Sequence, residues 1–326
     1  MTGPIGRRAF GAWAAAVAGA GLLPSASGQG WPQQPIRIVV PWPPGGVTDV
    51  IARTVGPGLS AALVQPVVID NEPGAGGNIG TGQAVREKPD GHTLILVTST
   101  TQAINPHLYE KLPFDPVRDF TPVAYLAAVP NVLVVPARSP YRSVQDVVAA
   151  ARKSPSKLTF ASGGNGSSQH VAAAIFESAA QIDLTHVPYK GSAPAVTDLI
   201  AGQVDLMLDT GSIAHVKAGT LRALAVAADA PIAALPNVPT MSEAGLRGVV
   251  AAAWYGVMGP AGLSPNVVAR LNQVLNAQLK DPATVTRLHE MGAQIGGGSP
   301  DDFRRFVSDE YRRYAQVVRS RGIKVE

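Results

Sequence analysis

Short apolar runs alternate along this chain with segments in which apolar positions recur every three or four residues. Residues 36–40 are apolar except for Arg37 and predict a strand. A Gly-Pro loop follows. Ile51, Val55, Leu59 and Leu63 then recur every fourth residue, as on one face of a helix. Strands are predicted at 67–69 and 93–97, with a helix at 78–88 between them. This βαβαβ order implies a parallel sheet covered by helices. Strands at 121–126 and 131–135, split by Pro130, lead into a second series. It comprises helices at 143–153, 167–180 and 193–201 and strands at 158–161, 184–187, 205–208 and 221–227. A late strand is predicted at 252–258. Val268, Leu271, Val274, Leu275 and Leu279 then form one helical stripe. Ser299, Pro300 and Asp302 supply an N-cap, an N1 proline and an N3 acid. The helix they open carries Phe303, Phe306, Val307, Tyr314, Val317 and Val318 on one face.

The pattern predicts two doubly wound α/β lobes joined by crossings near 121–136 and 252–258. Lobe 1 is expected at 29–128 plus 256–326, and lobe 2 at 129–255. The 326 residues suffice for two domains of about 150 residues each. Hydrophobic residues at 46% against 15% charged support a substantial core and argue against disorder.

The first 28 residues read differently. Arg7 and Arg8 precede an uncharged, Ala- and Gly-rich run from 9 to 23, followed by small residues. This is an export leader, expected to be cleaved near Ser27–Gly28. Arg7-Arg8-Ala9-Phe10 suits a twin-arginine signal, and a general secretory signal fits as well. The chain has no cysteine, so no lipid anchor, disulfide or thiolate metal site is expected. Of the 27 Lys and Arg, two lie in the leader; the rest leave a net of +2 against 23 Asp and Glu. Arg304, Arg305, Arg312, Arg313, Arg319 and Arg321 are interleaved with Asp301, Asp302, Asp309 and Glu310. That is a solvated mixed-charge face, and no nucleic-acid partner is expected.

In open parallel sheets ligands sit beyond the carboxyl ends of the strands. The loops in that position are rich in Gly, Ser, Thr and Asn. In Pro44-Gly45-Gly46-Val47-Thr48-Asp49 the glycines admit close backbone approach, and the free N–H groups of the following helix start favour an anion. Thr48 and Asp49 are alternatively caps for that helix. Residues 74–78 suggest a dinucleotide loop, but Ile79 stands where G-x-G-x-x-G needs glycine, so a tight turn is expected and no cofactor. Ser99 and Thr100 belong to a run of four hydroxyls after a strand. Ser162, Asn165, Gly166 and Ser167 repeat the logic of the first loop on the other lobe, with His170 inside the helix that follows. Tyr189 and Lys190 lie in a fifth loop; Lys190 is either a carboxylate partner or an exposed lysine. Catalytic patterns are missing: there is no G-x-S-x-G, H-E-x-x-H or P-loop, and the six histidines lack metal-ligand spacing.

These loops, in order, resemble those of the substrate-binding receptors of tripartite tricarboxylate transporters (the TctC or Bug-type family). The resemblance spans nearly the whole chain after the leader. It is carried by Pro43-Pro44-Gly45-Gly46-Val47-Thr48-Asp49, Asn71-Glu72-Pro73-Gly74-Ala75-Gly76-Gly77-Asn78 and Pro89-Asp90-Gly91-His92-Thr93. Gly164-Asn165-Gly166-Ser167, Val187-Pro188-Tyr189-Lys190-Gly191, Gly202-Gln203-Val204-Asp205 and Pro236-Asn237-Val238-Pro239-Thr240 continue the series. The resemblance implies a periplasmic-binding-protein fold of the type II, Venus-flytrap kind. It implies a small carboxylated ligand held by main-chain amides, hydroxyls and waters between the 41–49 and 162–168 loops.

It further implies a monomeric, non-enzymatic periplasmic receptor that passes its ligand to integral membrane transporter subunits. Ser99, Thr100, Tyr189, Asp209 and Trp254 are then expected to discriminate among carboxylates behind the anion clamp. The stretch Asp209-Thr210-Gly211-Ser212-Ile213-Ala214-His215 departs from the family's Asp-Asn-Leu-Pro pattern and is two residues shorter, which places His215 nearer the cleft. A sensor subunit uses the same clamp, and a small-molecule hydrolase or isomerase is the remaining rival.

Overall fold

The structure is a computed structural model that describes residues 30–321 and 323. The expected leader lies outside the described residues. Among the described residues no helix is long and apolar enough to cross a membrane.

The first sheet has six strands in the order β11-β4-β10-β3-β1-β2. They are β1 (Ile36–Val40), β2 (Val67–Asn71), β3 (Thr93–Thr98), β4 (Phe120–Pro130), β10 (Ala252–Pro260) and β11 (Gln294–Ile295). The second has five, β7-β6-β8-β5-β9: β5 (Val132–Pro136), β6 (Thr159–Ser162), β7 (Thr185–Pro188), β8 (Leu206–Asp209) and β9 (Leu221–Val226). In each lobe three strands run parallel, β2-β1-β3 and β7-β6-β8, as the βαβαβ pattern requires. Beside each triplet an antiparallel strand is inserted: β10 against β3, and β5 against β8. Both are strands by which the chain enters the sheet from the other lobe.

Strand alternation supplies two buried faces. Ile36, Ile38 and Val40 pack with Leu94 and Leu96 under α1 (Val47–Leu63) and α7 (Pro265–Gln278). Val39, Ile95 and Val97 face the opposite way, in the core that includes Phe303 and Val307 of α9 (Pro300–Arg321). Phe303 presses on Gly256 of β10, where an added Cβ would lie 2.2 Å from the ring. The ring also meets Trp254 edge-on at 6.0 Å. The capping of α9 follows the sequence: Ser299 Oγ accepts from Asp302 N–H at 3.1 Å, and Asp302 Oδ2 accepts from Ser299 N–H at 3.0 Å. The other helices are α2 (Asn78–Ala84), α3 (Val144–Lys153), α4 (Ser168–Ala180), α5 (Ser192–Ala201), α6 (Ile213–Lys217) and α8 (Pro282–Glu290).

Several elements differ from the sequence reading. The helix begun at Asn78 stops at Ala84, and its next turns close with i→i−3 bonds from Arg86 and Glu87. β4 is one eleven-residue strand: Pro130 is its last residue, and Pro122 lies beside a register shift in the pairing with β10. Helices α6 and α8 and strand β11 are additional. Asp281 and Pro282 form a readable N-cap and N1 pair for α8.

The chain passes between the lobes at Asn131 and again before Ala252. There Asn131 N–H donates to Ala251 O (2.9 Å), Ala227 N–H to Asn131 O (2.8 Å) and Ala251 N–H to Ala227 O (3.0 Å). Asn131 Nδ2 adds a bond to Ala251 O at 3.1 Å. Phe303→Ala should cost about 3–5 kcal/mol, because the ring fills a contact with a glycine that cannot collapse inward. Urea denaturation of the variant against wild type measures it.

Candidate functional site

The carboxyl ends of β1, β3, β6 and β8 converge on one crevice between the lobes. At its centre is a chamber of about 40 Å³. Lobe 1 contributes Trp42, Pro43, Gly46, Val47, Thr48, Thr98, Thr100, Ala253 and Tyr255; lobe 2 contributes Gly163, Ser168, Gln169, Gly191, Ser192, Ala193 and Thr210. No charged side chain is among them. Three helices begin here, α1 from lobe 1 and α4 and α5 from lobe 2. Gly46 and Gly191, the N-cap residues of α1 and α5, have no side chain to cap with, so first-turn N–H groups are left open. Such open ends and their dipoles favour an anion.

Two wider cavities adjoin the chamber. One, of about 520 Å³, shares Gly46, Val47, Ser192, Ala193 and Thr210 with it and extends to His215, Lys217, Arg287 and Glu290. The other, of about 550 Å³, shares Trp42, Pro43, Gly163 and Gly191 and extends to Tyr109, Asn165, Tyr189 and Lys190. The lobes touch between them. Gly191 sits at φ +114°, and a Cβ there would lie 2.9 Å from Pro43 Cγ across the crevice. Both facts demand glycine.

A buried aspartate fastens the loops of each lobe. In lobe 1, Asp49 Oδ2 accepts from Gly45 N–H at 3.0 Å, Oδ1 accepts from Asn71 Nδ2 at 3.0 Å, and Arg53 Nε reaches both oxygens. Asn71 Nδ2 also donates to Trp42 O. Burial alone would push this carboxyl up; the bonds from Arg53, Gly45 and Asn71, with the Arg53 charge, hold it below the ordinary carboxylate range. In lobe 2, Asp209 is fully buried. It accepts from Ser192 Oγ (2.7 Å), Gln169 Nε2 (3.3 Å), Gly211 N–H (2.9 Å) and Ser212 Oγ (2.6 Å). One carboxylate thus sets the starts of α4, α5 and α6. Thr210 hydrogen-bonds the hydroxyl of Tyr255 from the opposite lobe, and burial followed by the Asp209 charge pushes that phenol's pKa well up.

The sequence-derived candidates therefore fall into distinct places. Gly46, Thr48 and Thr100 line the chamber; Gly45 and Asp209 line one adjoining cavity, and Asn165 and Tyr189 the other. Tyr189 turns its hydroxyl away to Asp198 at 2.8 Å. Pro44 is exposed on the same loop. Asp49 faces its own loop. Ser99 is sealed beneath the π turn at 100–104. Trp254 lies in the core against Phe303 and Phe306, away from the crevice.

Ser162, Gly166, Ser167 and His170 form a supporting layer. Ser167 Oγ caps α4 by accepting from His170 N–H, and Gly166 N–H donates to His170 Nδ1 at 3.1 Å. His170 stacks on His186 at 4.1 Å, and His186 Nε2 lies 2.6 Å from Ser162 Oγ. This serine–histidine pair is a poor nucleophile and base: Ser162 is fully buried, and burial and the neighbouring ring lower His186 to about 4. The pair props the loop. Trp42, Pro43, Gln169, Gly191, Ser192, Thr210 and Tyr255 were not among the sequence candidates. Ser192 and Gly191 had a readable signal, a Gly-Ser start to a predicted helix; Tyr255 and Thr210 meet only in three dimensions.

Burial also lowers His170 to about 4, so both imidazoles stay neutral when folded while unfolded ones protonate near 6.5. Stability should therefore fall as pH drops from about 6.5 toward 4. Glu177, raised to about 7 by burial, acts in the opposite sense over part of that range. The readout is thus a difference: His186→Phe should flatten the slope by about 1.4 kcal/mol per pH unit relative to wild type. Urea titrations at stepped pH measure it.

Comparison with known proteins agrees with this geometry. Residues 51–323 match the family model of the tripartite tricarboxylate transporter family receptor, TctC. Protein BugT of Bordetella pertussis is 36% identical over 313 residues, covering 95% of this chain and 96% of BugT. The structure of Rpa4515 from R. palustris with adipate superposes with a TM-score of 0.88 at 37% identity, covering 90% of this chain and 99% of that one. MatC of Rhodopseudomonas palustris with bound malate gives a TM-score of 0.84 at 32% identity, covering 88% and 100%. The two-lobed α/β solute-binding fold is common to them. The chain belongs to the tripartite tricarboxylate transporter receptor family.

Proposed function

We propose that the protein is a periplasmic receptor that closes its lobes around a small carboxylate and releases it unchanged to membrane transporter subunits. The observation that carries this reading is the chamber itself. Uncapped helix starts from both lobes meet there, with hydroxyls and no cation. A cavity of about 40 Å³ holds a carboxylate group with a water or two, so the rest of the ligand extends into an adjoining cavity. Adipate in Rpa4515 and malate in MatC, two carboxylates of different length, support this division between a fixed head-group cage and a roomier body site.

The moving units are the lobe built on the six-stranded sheet and the lobe built on the five-stranded sheet, and the Asn131 bonds form the joint. The donors belong to different lobes, so the cage is complete only when they meet. A ligand that bridges both therefore favours closure. The chamber offers binding groups without a nucleophile and its base. Delivery to a transporter accounts for a receptor that holds but does not transform.

A thermal-shift screen of di- and tricarboxylates tests the reading. A ligand at 100 times its Kd should add about 2.7 kcal/mol of stability; no shift with any carboxylate would count against it. Gly191→Ala should weaken adipate or malate binding at least about tenfold, because the added methyl meets Pro43 before the lobes close. Calorimetric titration measures it, and unaltered affinity would remove the closed cage from the account.

A further inference from the structure

We propose a second small-molecule site on the back of the first lobe, for an apolar acid with a hydroxyl at one end and a carboxylate at the other. It is a cavity of about 320 Å³ between the π turn at 100–104, the 116–122 segment and α9. Phe120, Pro122, Met258 and Val307 form its walls, and Val117 stands 68% exposed at its rim. It shares no lining residue with the interlobe crevice.

One group in this cavity is left unserved by the protein. Gln102 is fully buried, and neither its amide nitrogen nor its amide oxygen has a partner. An unpaired buried amide destabilises a fold, and leucine, close in volume, would fill the same space without that cost. The amide needs an occupant that both donates and accepts. A hydroxyl does both.

The apolar walls call for a hydrocarbon or aromatic body. Arg304 and Arg305 also line the cavity. Each pairs with one carboxylate three residues back, Asp301 and Asp302, on an exposed face. A guanidinium has five N–H donors, so both retain donors for an incoming carboxylate. The turn that carries Gln102 also carries Thr100 in the central chamber. π turns are rare and recur at functional sites. Here one turn serves two cavities.

Para-hydroxybenzoate is the probe, titrated by calorimetry into wild type, Gln102→Leu and Gly191→Ala, with benzoate as the comparator. Wild type should bind it at one site. Benzoate should bind at least about tenfold more weakly, since the amide is then left unpaired. Gln102→Leu should lose the same factor while melting no lower than wild type, which separates lost binding from lost folding. Gly191→Ala should bind the probe as wild type does, because its lesion lies in the crevice; adipate titration reads the crevice separately. The proposal is overturned by absence of binding, with water alone filling the cavity. It is equally overturned by equal affinity for benzoate, or by binding that Gly191→Ala abolishes and Gln102→Leu spares.

Discussion

Main-chain N–H groups at a helix start have no partner within their own helix, and in this fold they are left open where two lobes meet. Everything around the crevice serves that arrangement. Gly46 and Gly191 occupy the cap positions of α1 and α5, where serine or aspartate would satisfy the first turn from within. Pro43 and Gly191 set how near the lobes come. Asp49 and Asp209 then hold the loops without spending the open amides, because their donors come from elsewhere in the same lobe.

The two aspartates solve one problem by different means. Asp49 stands beside an arginine, so its charge is balanced locally. Asp209 relies on four hydrogen bonds, three from side chains and one from the backbone. A buried carboxylate is tolerable only when so satisfied. Its reward is register: one side chain positions Gln169, Ser192 and Ser212, each at the head of a different helix. The His170–His186 stack has the same purpose one layer further out. It keeps the 162–167 loop in place with neutral rings, which bring no charge toward the cage.

Much of this was legible in the sequence, and the reasons differ between residues. The first strand was readable as a short apolar run because both of its faces are buried, and the first helix by a period of nearly four because burial takes one side of it. The loops at 44–49 and 162–167 were readable because Gly, Ser and Asn after an apolar strand have few other uses. The role of Asp49 was open, since an aspartate two residues into a helix suits both a cap and a ligand contact. Tyr255 and Thr210 are forty-five residues apart, and no local pattern joins them. Trp254 shows the limit most clearly. Alternation along β10 sends neighbouring residues to opposite faces, so Tyr255 reaches the crevice and Trp254 the core beneath α9.

A neutral cage has a consequence that a cationic one lacks. A lysine or arginine on one lobe would attract a carboxylate strongly before closure, and binding would depend little on where the other lobe stood. Amides and hydroxyls are individually weak against water, so half a cage competes poorly with solvent. In the proposed role, affinity then arises chiefly in the closed state, and ligand and shape become two readings of one equilibrium. For a receptor in the proposed role, that coupling is the message: a membrane partner that recognises the closed surface needs no contact with the ligand. The Pro43–Gly191 approach and the Tyr255–Thr210 bond lie across the same crevice, so in that role both count toward the closed state as direct contacts between the lobes.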